Sequence, residues 1–134
     1  MCSEYRMMKP RETAMRSQRH TVDAKSRNVE SLERIIREFD QMAADLDRQI
    51  QLEEDRTGIR DSAHFSYSTF AKAAAQRRDN LRNSMTGLRE KLAAAVRERD
   101  DAAEALTRAT EQMEARSDGR HQRYRGARSP AVAR

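Results

Sequence analysis

The chain has 134 residues, of which 37% are charged and 4% aromatic, with no Trp; this is too polar for a broad globular core and too short for two independent ones. The formal net charge of +5 sits at one end: residues 116–134 hold six Arg and one Asp, leaving 21 basic and 21 acidic side chains that balance over residues 1–115. Cys2 is the one cysteine, so a disulfide framework within the chain is excluded and a reducing cytoplasm is the default.

Residues 1–12 read as a flexible N-terminus, with Pro10 marking a boundary before the helix settles. Met1, Met7 and Met8 are alternative starts, and the segment lacks the apolar run of a secretory signal. No apolar stretch anywhere approaches the roughly 18 to 20 residues of a membrane span, so no membrane insertion is expected.

A first helix is predicted over residues 13–56, capped by Thr13 or Thr21. Read in sevens, Val22, Val29, Ile36, Ala43 and Ile50 share one core position, called a, and Lys25, Leu32, Phe39 and Leu46 share the other, d. Apolar residues alternating at spacings of three and four mark a helix that buries a narrow seam against another helix. That periodicity argues against disorder, the competing reading of so polar a chain. Asp23 with Arg27, Glu30 with Arg34, and Glu33 with Arg37 stand four apart, acid first, as expected of a solvated flank.

Residues 57–67 break the period and carry Gly58, Asp61 and Ser62, so they read as the connection, with Gly58 positioned to end the helix in a left-handed conformation. Phe65 and Tyr67 lie here and Phe70 just beyond. They are expected to plug the closed end of a hairpin; the alternative is an exposed patch for a partner.

The second helix is predicted over residues 68–116, with Ser66 or Ser68 as its cap. Tyr67, Ala74, Leu81, Leu88, Ala95, Ala102 and Ala109 take d, while Ala71, Arg78, Met85, Leu92, Arg99, Leu106 and Met113 take a. An antiparallel pair sets a against d, and one register serves every layer: residue numbers facing one another total 124. Val22 then meets Ala102, Val29 meets Ala95, Leu32 meets Leu92, Ile36 meets Leu88, Phe39 meets Met85, Ala43 meets Leu81, and Ile50 meets Ala74. The fold-back falls at residue 62, inside the segment chosen separately as the turn. The fold class is therefore all-α, a long antiparallel two-helix coiled-coil hairpin. Each large side chain fully buried there contributes roughly 1.5–3 kcal/mol. Lys25 and Arg99 share a layer, so both must splay outward or find acids; Leu46 faces Arg78, Gln18 faces Leu106 and Met15 faces Ala109. The open end should fray, with the second helix projecting past the first.

Residues 117–134 lack an apolar pattern, contain Gly119, Gly126 and Pro130, and read as a disordered Arg-rich tail. Arg120, Arg123, Arg125 and Arg128 are its candidate polyanion contacts, for RNA, DNA or an acidic protein surface; a solubilising end without a dedicated partner fits as well. His20, His64 and His121 are far apart in sequence, and no metal-binding, phosphate-loop or nucleophile-elbow spacing occurs. No catalytic, cofactor or metal site is expected.

One set of segments goes beyond generic heptads. Glu53-Glu54-Asp55-Arg56-Thr57-Gly58-Ile59, then Ala63-His64-Phe65-Ser66-Tyr67, then Thr69 to Leu81, together with Phe39 to Arg48, resembles the flagellar export protein FliJ family. Met8-Lys9-Pro10-Arg11 is similar to that family's opening, and the likeness covers roughly residues 8–110. The resemblance implies a cytoplasmic, non-catalytic coiled-coil stalk, peripheral at the cytoplasmic face of the flagellar base, that serves type III protein export. Its implied partners are the hexameric flagellar export ATPase, the cytoplasmic domain of the export gate, and export chaperones. The open end would enter the ATPase ring and the turn half would face other partners, which makes Phe65, Tyr67, Phe70, Gln76, Arg77 and Arg78 the candidate contacts. Beyond about Glu114 the chain departs from the family, running into arginines where a further acidic helix is expected.

Overall fold

The computed structural model describes residues 10–128, and these form two helices, α1 (Pro10–Thr57) and α2 (Thr69–Arg128), packed as an antiparallel hairpin. No strand occurs among the described residues. Proline stands at the first position of α1, where its missing N–H would find no partner in any case and its fixed φ suits the helix. The expected start at residue 13 is therefore corrected to Pro10. Thr13 and Thr21 are interior, and the Thr21 hydroxyl donates to the Ser17 carbonyl at 3.1 Å.

Helix α1 stops as the sequence indicates. Gly58 takes φ 74°, and its N–H donates to the Glu54 carbonyl at 2.8 Å, the single closing bond of a left-handed cap. The connection is held by short local bonds: the Asp61 carboxylate accepts from the Ala63 N–H at 2.9 Å, and the His64 carbonyl accepts from the Tyr67 N–H at 3.0 Å. Ser68, one of the two expected caps, starts α2 by accepting from the Ala71 N–H at 3.2 Å.

The end of α2 departs from expectation. Residues 117–128, expected to be disordered, are helical through Arg128. Gly119 and Gly126 each cost only about 1 kcal/mol against alanine, whereas arginine and glutamine favour the helix, and no proline interrupts before Pro130. The remainder of the expected tail, residues 129–134, and nearly all of the expected flexible N-terminus, residues 1–9, lie outside the described residues.

The contacts divide the chain into two units, residues 27–96 and residues up to 26 with those from 97. In the turn unit, residues 27–96, the described seam holds every fully buried apolar side chain: Val29, Ala43, Ile50, Ala71, Ala74, Met85 and Ala95. Ile50 buries against Ala71 and Ala74, its expected layer partner, in one cluster with Leu46 and Tyr67 packed on it. Leu32, Ile36, Phe39, Leu81, Leu88 and Leu92 are half-buried. In the open unit, Val22, Leu106, Ala109 and Met113 are only half-buried. Every heptad core position assigned from the sequence, from Val22 to Met113, is thus buried or half-buried, as a two-stranded seam allows.

Candidate partner-binding surfaces

At the closed end the connection is tied to α1 by three side chains. Glu53 accepts from Arg56 through both carboxylate oxygens, at 2.5 and 3.1 Å, and from the Ser68 hydroxyl at 2.8 Å. The same Ser68 oxygen caps α2, so one hydroxyl joins the start of α2 to the last turns of α1. The Arg56 guanidinium, and then the Ser68 hydroxyl, hold the Glu53 carboxyl down at about 2. Tyr67 donates to Glu54 at 3.2 Å; its burial first, and then the Glu54 carboxylate, push the phenol above its usual range.

The six candidate contacts at this end separate into two kinds. Tyr67 is half-buried on the seam cluster and closes the hairpin, as expected. Phe65 and Phe70 do not plug it: they are 95% and 55% exposed. Phe65 stacks on His64 with ring centroids 4.7 Å apart, and all five residues between Asp61 and Tyr67 are exposed. Leu52, one turn before Arg56, adds a third large apolar side chain at 69% exposure. Gln76 and Arg77 are exposed, and Arg77 borders an open groove with Phe39, Met42, Leu46 and Leu81.

Arg78 behaves otherwise. Placed at a core position, it turns its guanidinium to Asp47 at 2.8 Å and Asp79 at 3.2 Å, and the Asp47 hydrogen bond raises its pKa further. The second Asp47 oxygen takes Arg82 at 2.9 Å. Arg78 is therefore a seam residue satisfied within the hairpin. Asp47, one position past Leu46, was the signal: an arginine at a core position requires an acid at its flank.

In the open unit the expected cationic layer resolves in the same way. Lys25 pairs with Glu98 at 3.3 Å and Arg99 with Asp100 at 3.1 Å. Gln18 presses its Oε1 into the seam, where it finds no hydrogen-bond partner among the described residues. The three acid-first pairs expected on α1 are not closed. Ion pairs within that helix instead span three residues, joining Asp45 to Arg48 and Glu53 to Arg56.

Of the candidate polyanion contacts, Arg120, Arg123 and Arg125 are exposed on α2, and Arg128 is its last residue. Arg120 and Arg123 share a groove with Arg116 and with Arg11 of α1, whereas Arg125 lies elsewhere on the helix. Sequence reading missed Arg11 and Arg116. The heptad numbering continued past Met113 would have found Arg116. No helix among the described residues is long and apolar enough to cross a membrane. Comparisons with models of known families, with curated proteins and with solved structures return no match for this chain.

Proposed function

We propose that this chain is a non-enzymatic coiled-coil stalk of the flagellar type III protein export apparatus, acting at the cytoplasmic face of the flagellar base. It engages the hexameric export ATPase, the cytoplasmic domain of the export gate and export chaperones through helix surfaces, with no cofactor. The observation that carries this reading is the closed end. The segment resembling the FliJ family is also where Phe65 and Phe70 stand exposed, with exposed Leu52 just before it, at a turn fixed by Glu53, Ser68 and Tyr67. Large apolar groups held on a rigid support are what a docking surface requires. The antiparallel hairpin supplies the architecture that the resemblance implies for a stalk.

Pull-down with the purified export ATPase tests the reading, using the full chain and a truncation after Ala115. Binding retained by the truncation supports the stalk. An alternative is a coiled-coil scaffold whose Arg-rich end binds nucleic acid, favoured by the exposure of Arg120, Arg123 and Arg125. In that case the full chain binds RNA with a steep salt dependence, the truncation does not, and neither binds the ATPase.

A further inference from the structure

The seam positions of α2 continue beyond the point where the described part of α1 begins. Counting in sevens past Leu106, Ala109 and Met113 arrives at Arg116, Arg120 and Arg123, and the helix carries them on to Arg128. The stripe that buries alanine and leucine nearer the turn therefore presents guanidinium groups in these last turns. All three are exposed and, with Arg11, line one open groove beside the small residues Ala115 and Gly119. A Cβ built on Gly119 would meet nothing within 4 Å. Glu111, Glu114 and Asp118 lie about 180° around the helix at about 100° per residue, so the acids of this stretch face away. None of the four arginines forms an ion pair among the described residues.

We propose that this stripe docks an α-helix of another protein that bears carboxylates at alternating spacings of three and four. Arg116, Arg120 and Arg123 rise over about 10 Å along one face. A facing helix with Glu or Asp at i, i+4 and i+7 brings one carboxylate to each guanidinium, in the planar paired geometry that arginine favours. The small residues beside the arginines let a second backbone approach to ordinary interhelical separations of about 8–10 Å. A nucleic-acid strand would use the charge but would require neither that floor nor the preserved heptad register. A second copy presenting the same stripe would set arginine against arginine. The inference stands apart from the export reading and is tested without the export ATPase.

The probes are a synthetic helical peptide with Glu at those spacings, the same peptide with Gln, and a single-stranded oligonucleotide of equal charge. Each is titrated against the full chain by fluorescence anisotropy. The Glu peptide is expected to bind, and the Gln peptide to bind at least about tenfold more weakly. A triple Arg116→Gln, Arg120→Gln, Arg123→Gln variant should lose about the same factor, with helicity checked by circular dichroism; the corresponding Lys triple should lose less. Arg125→Gln, on the far face, should change nothing. Equal binding of the two peptides would overturn the proposal, as would a loss at Arg125 matching that of the triple. An oligonucleotide bound more tightly than the Glu peptide, with the same dependence on the stripe, would assign the groove to nucleic acid instead.

Discussion

Glu53 joins the two helices through Ser68 and holds Arg56 in a two-oxygen pair, and its carboxyl is lowered from its ordinary value of 4.5 to about 2. A group whose pKa is depressed on folding adds stability above its unfolded value, and that contribution fades as pH falls toward the folded value. The account predicts that the hairpin loses part of its stability between about pH 4.5 and about pH 2 through this residue. Glu53→Gln should be less stable than the parent at pH 7, and the gap should close as the pH approaches 2. Denaturant titrations at several pH values measure it. A gap constant with pH would show that the carboxylate's charge plays no part. Gln18 is the opposite case: a buried oxygen left without a donor costs roughly 1–3 kcal/mol. Gln18→Leu should therefore raise the melting temperature, and Gln18→Asn should not. An unchanged melting point for Gln18→Leu would place the amide in water.

At the scale of elements, the seam of the turn unit carries the hairpin. Phe39 is half-buried at a core position and borders Leu46 and Leu81, so Phe39→Asp should melt helix well below the parent temperature, while Arg123→Ala should leave helicity intact. Circular dichroism separates the two, and equal melting would count against the seam. The elements most legible in the sequence were those with a single physical solution. Gly58 alone offers the left-handed cap; Ser68 precedes the second period; Ile50 and Ala74 match in size across the fold-back. What escaped the sequence depended on geometry that no period encodes. Phe65 sits in an aperiodic loop, so its hydrophobicity did not reveal its direction. Gly119 and Gly126 mimic helix ends, yet a helix already propagating through arginine and glutamine absorbs them. The Glu53–Ser68 link spans 15 positions and exists only once the turn has taken its path.

For the molecule as a whole, chemistry is distributed along the chain in a way that matches the proposed work. Every fully buried apolar side chain among the described residues lies from Val29 to Ala95. Exposed apolar groups concentrate from Leu52 to Phe70, and the net positive charge lies from Arg116 onward. These regions are the two chemically different surfaces proposed above for docking, one apolar and aromatic, the other cationic. Both rest on one premise, that α1 and α2 of the same chain pair in the expected register, which sets Ile36 against Leu88 and which the Lys25–Glu98 and Arg78–Asp47 pairs across the helices fit. Disulfide trapping tests it most directly. In a Cys2→Ser background, Ile36→Cys with Leu88→Cys should oxidise rapidly to a cross-linked monomer, while Ile36→Cys with Leu81→Cys, two turns away, should not. Cross-linking found only between chains, or faster for the offset pair, would contradict the hairpin.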